Sequence, residues 1–154
     1  MSILREIGII ARALDSIANI EFRDLDLARG QYLYLVRIAE QPGMIQEELS
    51  ELLKVDRSTV ARSVKRLEER GMIQQRPKGE NLKTKEWELT EKGKQIYPFI
   101  LGEHLYSETT ALKGFSKEEI AQLEEYLIRV RENITLDWEQ VKKGQKRNYS
   151  EVKQ

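Results

Sequence analysis

Residues 49–73 read LSELLKVDRSTVARSVKRLEERGMI, and they predict two short helices joined by a tight connection. In the second helix, apolar residues recur at i, i+4 and i+7: Val60, Val64 and Leu67. Asp56 is a good N-cap for this helix, and Gly71 suits the left-handed position that ends it. Together with a first helix over residues 45–53, the segment 45–70 is typical of a helix-turn-helix.

The face of the second helix opposite these apolar residues carries hydroxyls near its N-terminus and long cations after them. It consists of Ser58, Arg62, Lys65, Arg66 and Glu69, with Thr59 at its edge. A helix that enters the major groove of DNA needs such a face, because Arg or Lys reaches guanine O6 and N7. We therefore predict base-edge contacts by Arg62 and Lys65. Phosphate contacts are predicted near the helix N-terminus, for Arg57, Ser58 and Thr59. The alternative is an ordinary solvent-exposed helix face.

Residues 72–76 and 85–89 predict two short strands joined by a turn over residues 77–81. Lysines stand around this turn: Lys78, Lys83 and Lys85. A basic hairpin directly after a helix-turn-helix is a wing, able to reach an adjacent minor groove or its phosphates. The alternative is that the lysines only protect exposed strand edges from aggregation. Because the two features follow each other in the chain, we predict binding to double-stranded DNA.

The charge of the chain is zero overall but is unevenly distributed. The 154 residues include 26 Lys and Arg and 26 Asp and Glu. Between Lys54 and Lys85 there are ten basic and four acidic residues, so this window carries +6 and the rest carries −6. Such a separation is the footprint of a phosphate-binding face. A charge count alone fits a solvated charged surface equally well.

The composition excludes several classes of site. There is no Cys and one His, His104, so disulfides, thiolate zinc sites and histidine clusters are excluded. His104 is expected to be structural or to lie at the surface, and we predict no metal, cofactor or catalytic residue. A glycine-rich phosphate loop after a strand is missing, which argues against a methyltransferase with a winged-helix lobe. No apolar run approaches the roughly 18 residues of a membrane span, and we expect a cytoplasmic protein.

Apolar stripes mark both ends of the chain. The first consists of Ile3, Ile7, Ile10, Leu14 and Ile17, and the second of Ile120, Leu123, Leu127, Val130 and Ile134. Ser116 and Glu119 form a capping box that opens the last helix. Because one small lobe cannot bury both stripes, we predict that an intermolecular interface covers them. The alternative is packing within one chain, and the polar tail 144–154 is expected to fray.

Two further helices are predicted around the helix-turn-helix. One spans residues 28–40 and carries Leu33, Val36 and Ile38. The other begins near Glu91 and is capped by Thr90. In the first helix of the pair, the inward positions are Leu49, Leu52 and Leu53.

These motifs resemble the MarR/SlyA-like family of winged-helix transcriptional regulators over residues 3 to 143. Four stretches carry the resemblance: LSELL (49–53), DRSTVAR (56–62), RLEERGMI (66–73) and LTEKG (89–93). It implies a mainly α fold with a small β-hairpin wing, and a homodimer whose first, fifth and sixth helices intertwine. The resulting organisation is one winged domain over 1–143: a helix-turn-helix at 45–70, a wing at 72–89, and dimerisation helices at 1–25 and 91–143.

Two positions depart from the family pattern. The family's wing usually carries an Asp followed by arginines, whereas Asn81, Leu82 and Lys83 stand near those positions here. Because lysine lacks the planar fork of arginine, minor-groove reading is expected to be weaker and less specific. Ile45 stands where a capping Thr is common, so the start of its helix is expected to be poorly capped.

The resemblance also implies a small-molecule effector pocket between the dimer region and the DNA-binding lobe. Tyr32, Tyr34 and Arg37 could line such a pocket for a small aromatic or phenolic effector, although packing is the more common role of such tyrosines. The predicted dimer interface consists of Ile3, Ile7, Ile10, Leu14, Leu123, Leu127 and Val130.

The sequence thus predicts a homodimeric transcriptional repressor that binds an inverted-repeat operator. The alternative is a winged helix used only for protein–protein contact. Such a protein would not need the exposed hydroxyls and cations.

Overall fold

A computed structural model of the chain describes residues 2–76 and 84–152. Within these ranges the fold is mainly α with a two-stranded antiparallel hairpin, which confirms the predicted class. The helices are α1 (Ile3–Glu21), α2 (Gln31–Glu40), α3 (Gln46–Leu53), α4 (Arg57–Glu69), α5 (Glu91–Ala111) and α6 (Lys117–Lys142). The strands are β1 (Ile73–Arg76) and β2 (Glu86–Leu89), and short 3-10 helices lie at Arg23–Leu25 and Tyr149–Glu151.

The chain divides into two compact units, residues 1–109 and 110–154. The first unit contains the hydrophobic core, which is built by helices and closed by the hairpin. Its fully buried side chains include Phe22, Leu35, Ile38, Leu49, Val60, Val64, Leu67, Met72, Ile73, Trp87 and Ile100. A two-stranded hairpin cannot form a core by itself, and here it packs on helices.

The hairpin is joined to the rest of the first unit along one strand. β1 and β2 pair in register, with Ile73 opposite Leu89 and Gln75 opposite Trp87. On its other edge β2 pairs with the segment before α3: Trp87 N donates to Met44 O at 2.9 Å. Trp87 and Leu89 lie on the same face of β2, and both are buried in the core.

The predicted helix ends are confirmed at three places. Thr90 Oγ1 accepts from Gly93 N at 3.1 Å at the start of α5. Ser116 and Glu119 form the predicted capping box of α6, with Ser116 Oγ accepting from Glu119 N at 3.1 Å. Gly71 ends the α4 region with a φ of +72°, in the left-handed region that glycine favours.

The first turn of α3 has a hydrogen bond to its backbone that the sequence did not suggest. Ile45 has no side-chain acceptor, but Ile45 N donates to Glu48 Oε2 at 2.9 Å. Half of a capping box therefore remains, because the glutamate reaches back as it would in the full motif.

The LTEKG stretch attaches α5 to the chain that leaves α4. Thr90 N donates to Met72 O at 3.1 Å, and Thr90 Oγ1 donates to Gly71 O. Lys92 Nζ donates to Arg70 O at 2.9 Å. The carbonyls of Arg70, Gly71 and Met72 therefore each accept a hydrogen bond from a residue at the start of α5. These bonds hold the chain that leaves α4 against α5.

One predicted inward position is wrong. Leu52 is 50% exposed, because the chain reverses directly after α3 and brings Leu53 and Val55 against the core. The reversal is held by Ser50, whose Oγ donates to Val55 O at 2.5 Å.

The start of α2 also differs from its prediction. The helix begins at Gln31 rather than at 28, because Gly30 adopts a φ of +77° and its N–H donates to Asn19 Oδ1 at 3.0 Å. The same corner is held by Ala28 N, which donates to Gln31 Oε1 at 3.0 Å. α2 is therefore shorter at its N-terminus than the apolar pattern suggested.

The second unit contains the long helix α6 and the tail. None of the described side chains of α6 is buried, and Leu127 is 44% exposed. In the tail, Arg147 forms an ion pair with Asp137, and the 3-10 helix Tyr149–Glu151 follows. No helix in the described ranges is both long and apolar enough to cross a membrane.

Candidate nucleic-acid interface

Helix α4 is fixed in the first unit by one face and presents the other to solvent. Val60, Val64 and Leu67 have no exposed surface. The side chains on the opposite face are exposed: Ser58, Arg62, Lys65, Arg66 and Glu69. The helix can therefore approach a ligand along its whole length without disturbing the core.

A network of hydrogen bonds converges on Asp56 at the N-terminus of α4. Asp56 Oδ2 accepts from Thr59 N at 3.0 Å and from Ser58 Oγ at 2.5 Å, while Oδ1 accepts from Thr59 Oγ1 at 2.6 Å. The predicted N-cap is confirmed. The hydroxyl bonds of Ser58 and Thr59 hold the pKa of Asp56 well below its usual value, because they stabilise the ionised carboxylate.

The predicted base-edge residue Arg62 is attached to this network. Arg62 Nη2 donates to Thr59 Oγ1 at 3.2 Å. Thr59 therefore donates to the carboxylate on one side and accepts from the guanidinium on the other. Asp56, Thr59 and Arg62 form a continuous chain along the first turn of α4.

Two other cations of the interface have acidic partners. Arg57 Nη2 lies 2.6 Å from Glu47 Oε1, on the first turn of α3, and both side chains are largely exposed. Lys65 Nζ lies 3.9 Å from Glu69 Oε1, one turn along α4. Exposed pairs of this kind contribute about 0–1 kcal/mol, so neither prevents the cation from binding a phosphate instead. The pairing of Arg57 with Glu47 was not predicted, because no periodic signal in the sequence links the two residues.

The hairpin contributes one described lysine. Lys85 is exposed and directly precedes β2, while Lys78 and Lys83 lie outside the described residues. A shallow cavity of about 420 Å³ lies beside Lys85, lined also by Thr84 and by Ile45, Gln46 and Glu47 at the start of α3. The base of the predicted wing thus adjoins the helix-turn-helix.

The predicted effector residues do not surround a common site. Tyr32 and Tyr34 are buried in the core, and Arg37 pairs with Glu40 at 2.6 Å on the surface of α2. Tyr32 Oη donates to Asp15 Oδ1 at 3.1 Å. Burial, followed by this bond, raises the pKa of the Tyr32 phenol well above its usual value.

The ring of His104 packs against two aromatic rings of the core. It lies 5.8 Å from the ring of Tyr32 and 6.3 Å from that of Phe22, in edge-on geometry. Such aromatic contacts stabilise packing. Within the part of the chain that is described, no group of three His, Cys, Asp or Glu side chains could hold a metal ion.

The residues of the predicted dimer interface are largely uncovered in the single chain. In α1, Ile3 is 66% exposed, and Ile10 and Leu14 are also exposed while Ile7 is half-buried. In α6, Leu127 is exposed, and Leu123 and Val130 are half-buried. Each helix, taken by itself, therefore presents an apolar stripe to solvent.

The chain is similar to known transcriptional regulators over almost its whole length. The MarR family model matches residues 27–85. The HTH-type transcriptional regulator YybA of Bacillus subtilis (strain 168) is 60% identical over 147 residues, which cover 96% of this chain and 98% of the relative.

Solved structures show the same similarity. A MarR family transcriptional regulator from Listeria monocytogenes, complexed with 26mer DNA, has a TM-score of 0.93 and 54% identity, covering 97% of this chain and 99% of that one. A structure of the transcriptional regulator SlyA has a TM-score of 0.87 and 57% identity, covering 92% and 99% respectively.

Proposed function

The chain belongs to the MarR family of transcriptional regulators, which bind DNA and are not enzymes, and we propose that it acts as a homodimeric repressor on an inverted-repeat operator. The exposed face of α4 carries this proposal. Its apolar side is buried while its hydroxyls and cations face outward, which is the arrangement that a helix in the major groove requires. The DNA complex of the relative from Listeria monocytogenes supports the same class of ligand.

The residues of α4 divide between reading and positioning. Arg62 and Lys65 lie one turn along the helix, at exposed positions from which long side chains reach base edges. Arg57 and Arg66 contact phosphates, with Arg57 exchanging its exposed partner Glu47 for the DNA backbone. The Ser58 hydroxyl donates its hydrogen to Asp56 at 2.5 Å and is not assigned a phosphate contact. Lys85, together with Lys78 and Lys83, supplies the wing contacts. Lysine acts there as a point charge, so the wing adds affinity more than specificity.

The exposed apolar stripes support the homodimer. Isolated exposed apolar residues are normal on a protein surface, but α1 and α6 each carry them at helical spacing. A second copy of the chain would cover both stripes. A two-fold axis would then place two α4 helices on one side of the dimer, as an inverted-repeat operator requires.

A small aromatic or phenolic effector that releases the DNA is the second part of the proposal. A cavity of about 340 Å³ at the corner between α1 and α2 supports it, and this cavity does not include the predicted tyrosines. It is lined by Ser16, Asn19, Ile20, Arg23, Leu27 and Arg29. Asn19 also holds the corner beside the cavity, since its Oδ1 accepts from Gly30 N at 3.0 Å.

The alternative function is contact with another protein through the winged helix, without DNA. This alternative gives no role to the exposed cations Arg62, Lys65 and Arg66.

Selection from a library of random-sequence duplexes by the full chain decides between these functions. We expect recovery of an inverted repeat, and affinity for the selected duplex that falls linearly with salt on logarithmic axes. A scrambled duplex of the same composition should bind at least tenfold more weakly at each salt concentration. Recovery of no motif, with equal and weak binding to both duplexes, would favour the protein-contact alternative.

A further inference from the structure

We infer that Thr59 is a positioning residue for Arg62: its hydroxyl, anchored by Asp56, holds the guanidinium where it reads a base edge. The inference rests on the proposed function, because it assigns how one reading residue is oriented. It also replaces the predicted phosphate contact of Thr59 with an indirect role in base preference.

The hydrogen bonds of the Thr59 side chain are assigned without ambiguity. A hydroxyl has one hydrogen to donate and lone pairs that accept. The carboxylate of Asp56 can only accept, so the hydrogen lies in the 2.6 Å bond to Asp56 Oδ1. The guanidinium can only donate, so the 3.2 Å bond from Arg62 Nη2 ends on a lone pair of Thr59.

A direct contact between the Thr59 hydroxyl and DNA phosphate is disfavoured by this arrangement. Phosphate oxygens only accept from a hydroxyl, and the one hydrogen of Thr59 is already donated to Asp56. Asp56 is anchored in turn by Thr59 N at 3.0 Å, so the hydroxyl cannot turn away without losing a charge-assisted bond. Thr59 is therefore better placed to orient the Arg62 guanidinium than to contact a DNA phosphate.

Orientation matters for Arg62 in particular. Bidentate recognition of guanine needs both guanidinium donors in one plane with O6 and N7, and a free arginine side chain loses much rotamer freedom when it adopts that geometry. A hydrogen bond that restrains the guanidinium beforehand lowers this cost. The restraint should sharpen the preference for the correct base pair.

Ser58 provides a matched comparison on the same turn. Its hydroxyl donates to the other oxygen of Asp56, at 2.5 Å, rather than bonding to Arg62. Removing the Ser58 hydroxyl changes the environment of Asp56 but leaves the Thr59–Arg62 bond in place. Ser58→Ala therefore separates an effect on the helix cap from an effect on the arginine.

The test measures base preference in full-length variants, using the random-duplex selection and sequencing the bound fraction. Thr59→Val should weaken the preference at the base pairs that Arg62→Ala also weakens, by about threefold to tenfold, the range for one hydrogen bond. Thr59→Ser should restore the wild-type profile, and Ser58→Ala should leave it unchanged. Thr59→Ala repeats the test with a strong helix former, and thermal unfolding followed by circular dichroism reports the folding of each variant.

A double variant identifies the route of the effect. If Thr59 acts through Arg62, Thr59→Val adds no further loss of preference in the Arg62→Ala background. The inference is overturned if Thr59→Val weakens all duplexes equally, if its effect persists without Arg62, or if the base preferences do not change. Failure of the wild-type chain to select any motif is a different result, because it contradicts the proposed function itself.

Discussion

Gly93, in the first turn of α5, lies directly against the carbonyl of Met72, so that a Cβ at position 93 would overlap the carbonyl oxygen and lie 3.3 Å from Leu89 Cβ. The close approach explains why the LTEKG stretch ends in glycine. The same carbonyl accepts from Thr90 N, so it cannot move away without breaking the junction between α4 and α5.

Gly93→Ala should therefore destabilise the protein, by about 1–3 kcal/mol, the usual cost of overpacking a tight contact. Gly102→Ala is the matched control in the same helix, because no atom lies within 4 Å of a Cβ there and alanine favours helix by about 0.5–1 kcal/mol. Urea denaturation gives both free energies of unfolding. Equal changes in the two variants would show that the Gly93–Met72 contact does not constrain the fold.

The raised pKa of Tyr32 gives a prediction at high pH. Folding keeps this phenol neutral, so its contribution to stability is present below the pKa of an unfolded tyrosine, about 10, and is lost as pH rises above that value. The free energy of unfolding should fall more steeply between about pH 9 and 11 in the wild type than in Tyr32→Phe. Parallel slopes in urea denaturation would mean that the Tyr32 phenol ionises as readily in the folded chain as in the unfolded one.

Helix α4 and the wing should differ in what they contribute to DNA binding. Arg62→Ala should cost about 1–3 kcal/mol on the selected duplex and relax the preference at one or two base pairs. Lys85→Ala should weaken all duplexes similarly and lower the salt slope by about one unit. Titrations of the selected and scrambled duplexes at several salt concentrations distinguish the two. Equal losses on both duplexes for Arg62→Ala would refute its assignment as a base reader.

The helix-turn-helix was the part of the fold most predictable from sequence. The cap at Asp56, the buried positions Val60 and Val64, and the left-handed Gly71 are local signals, and the structure confirms each of them. Leu52 was not predictable in this way. Its helical spacing from Leu49 is correct, but the reversal after α3 places later residues on the core instead.

The site was predictable in its residue types and less so in their partners. Hydroxyls and cations at helical spacing identified the exposed face of α4. Arg57 and Glu47 are ten residues apart in the chain, and their pairing depends on how α3 packs against α4. No spacing rule in the sequence predicts it. Tyr32 shows the same dependence on packing, because its hydroxyl donates to Asp15 on α1, a residue that no spacing rule links to it.

The apolar stripe of α6 should form part of the dimer interface. Leu127→Asp should abolish the dimer, since it places a charge where a second copy would otherwise bury leucine. Ala121→Asp is the control, because Ala121 is exposed on the same helix and lies outside the apolar stripe. Sedimentation velocity measures the oligomeric state of both variants. A folded, stable monomer for the wild-type chain would exclude the interface.

The spacing of the two half-sites tests the central claim, a dimer that reads two major grooves on one face of DNA. Two α4 helices related by a two-fold axis fit successive grooves when the half-site centres lie about 10–10.5 base pairs apart. Insertion of five base pairs between the half-sites turns one of them to the opposite face. The affinity of the wild-type dimer should then fall to that of a duplex with a single half-site, whereas binding as tight as to the uninterrupted operator would contradict the paired-groove account.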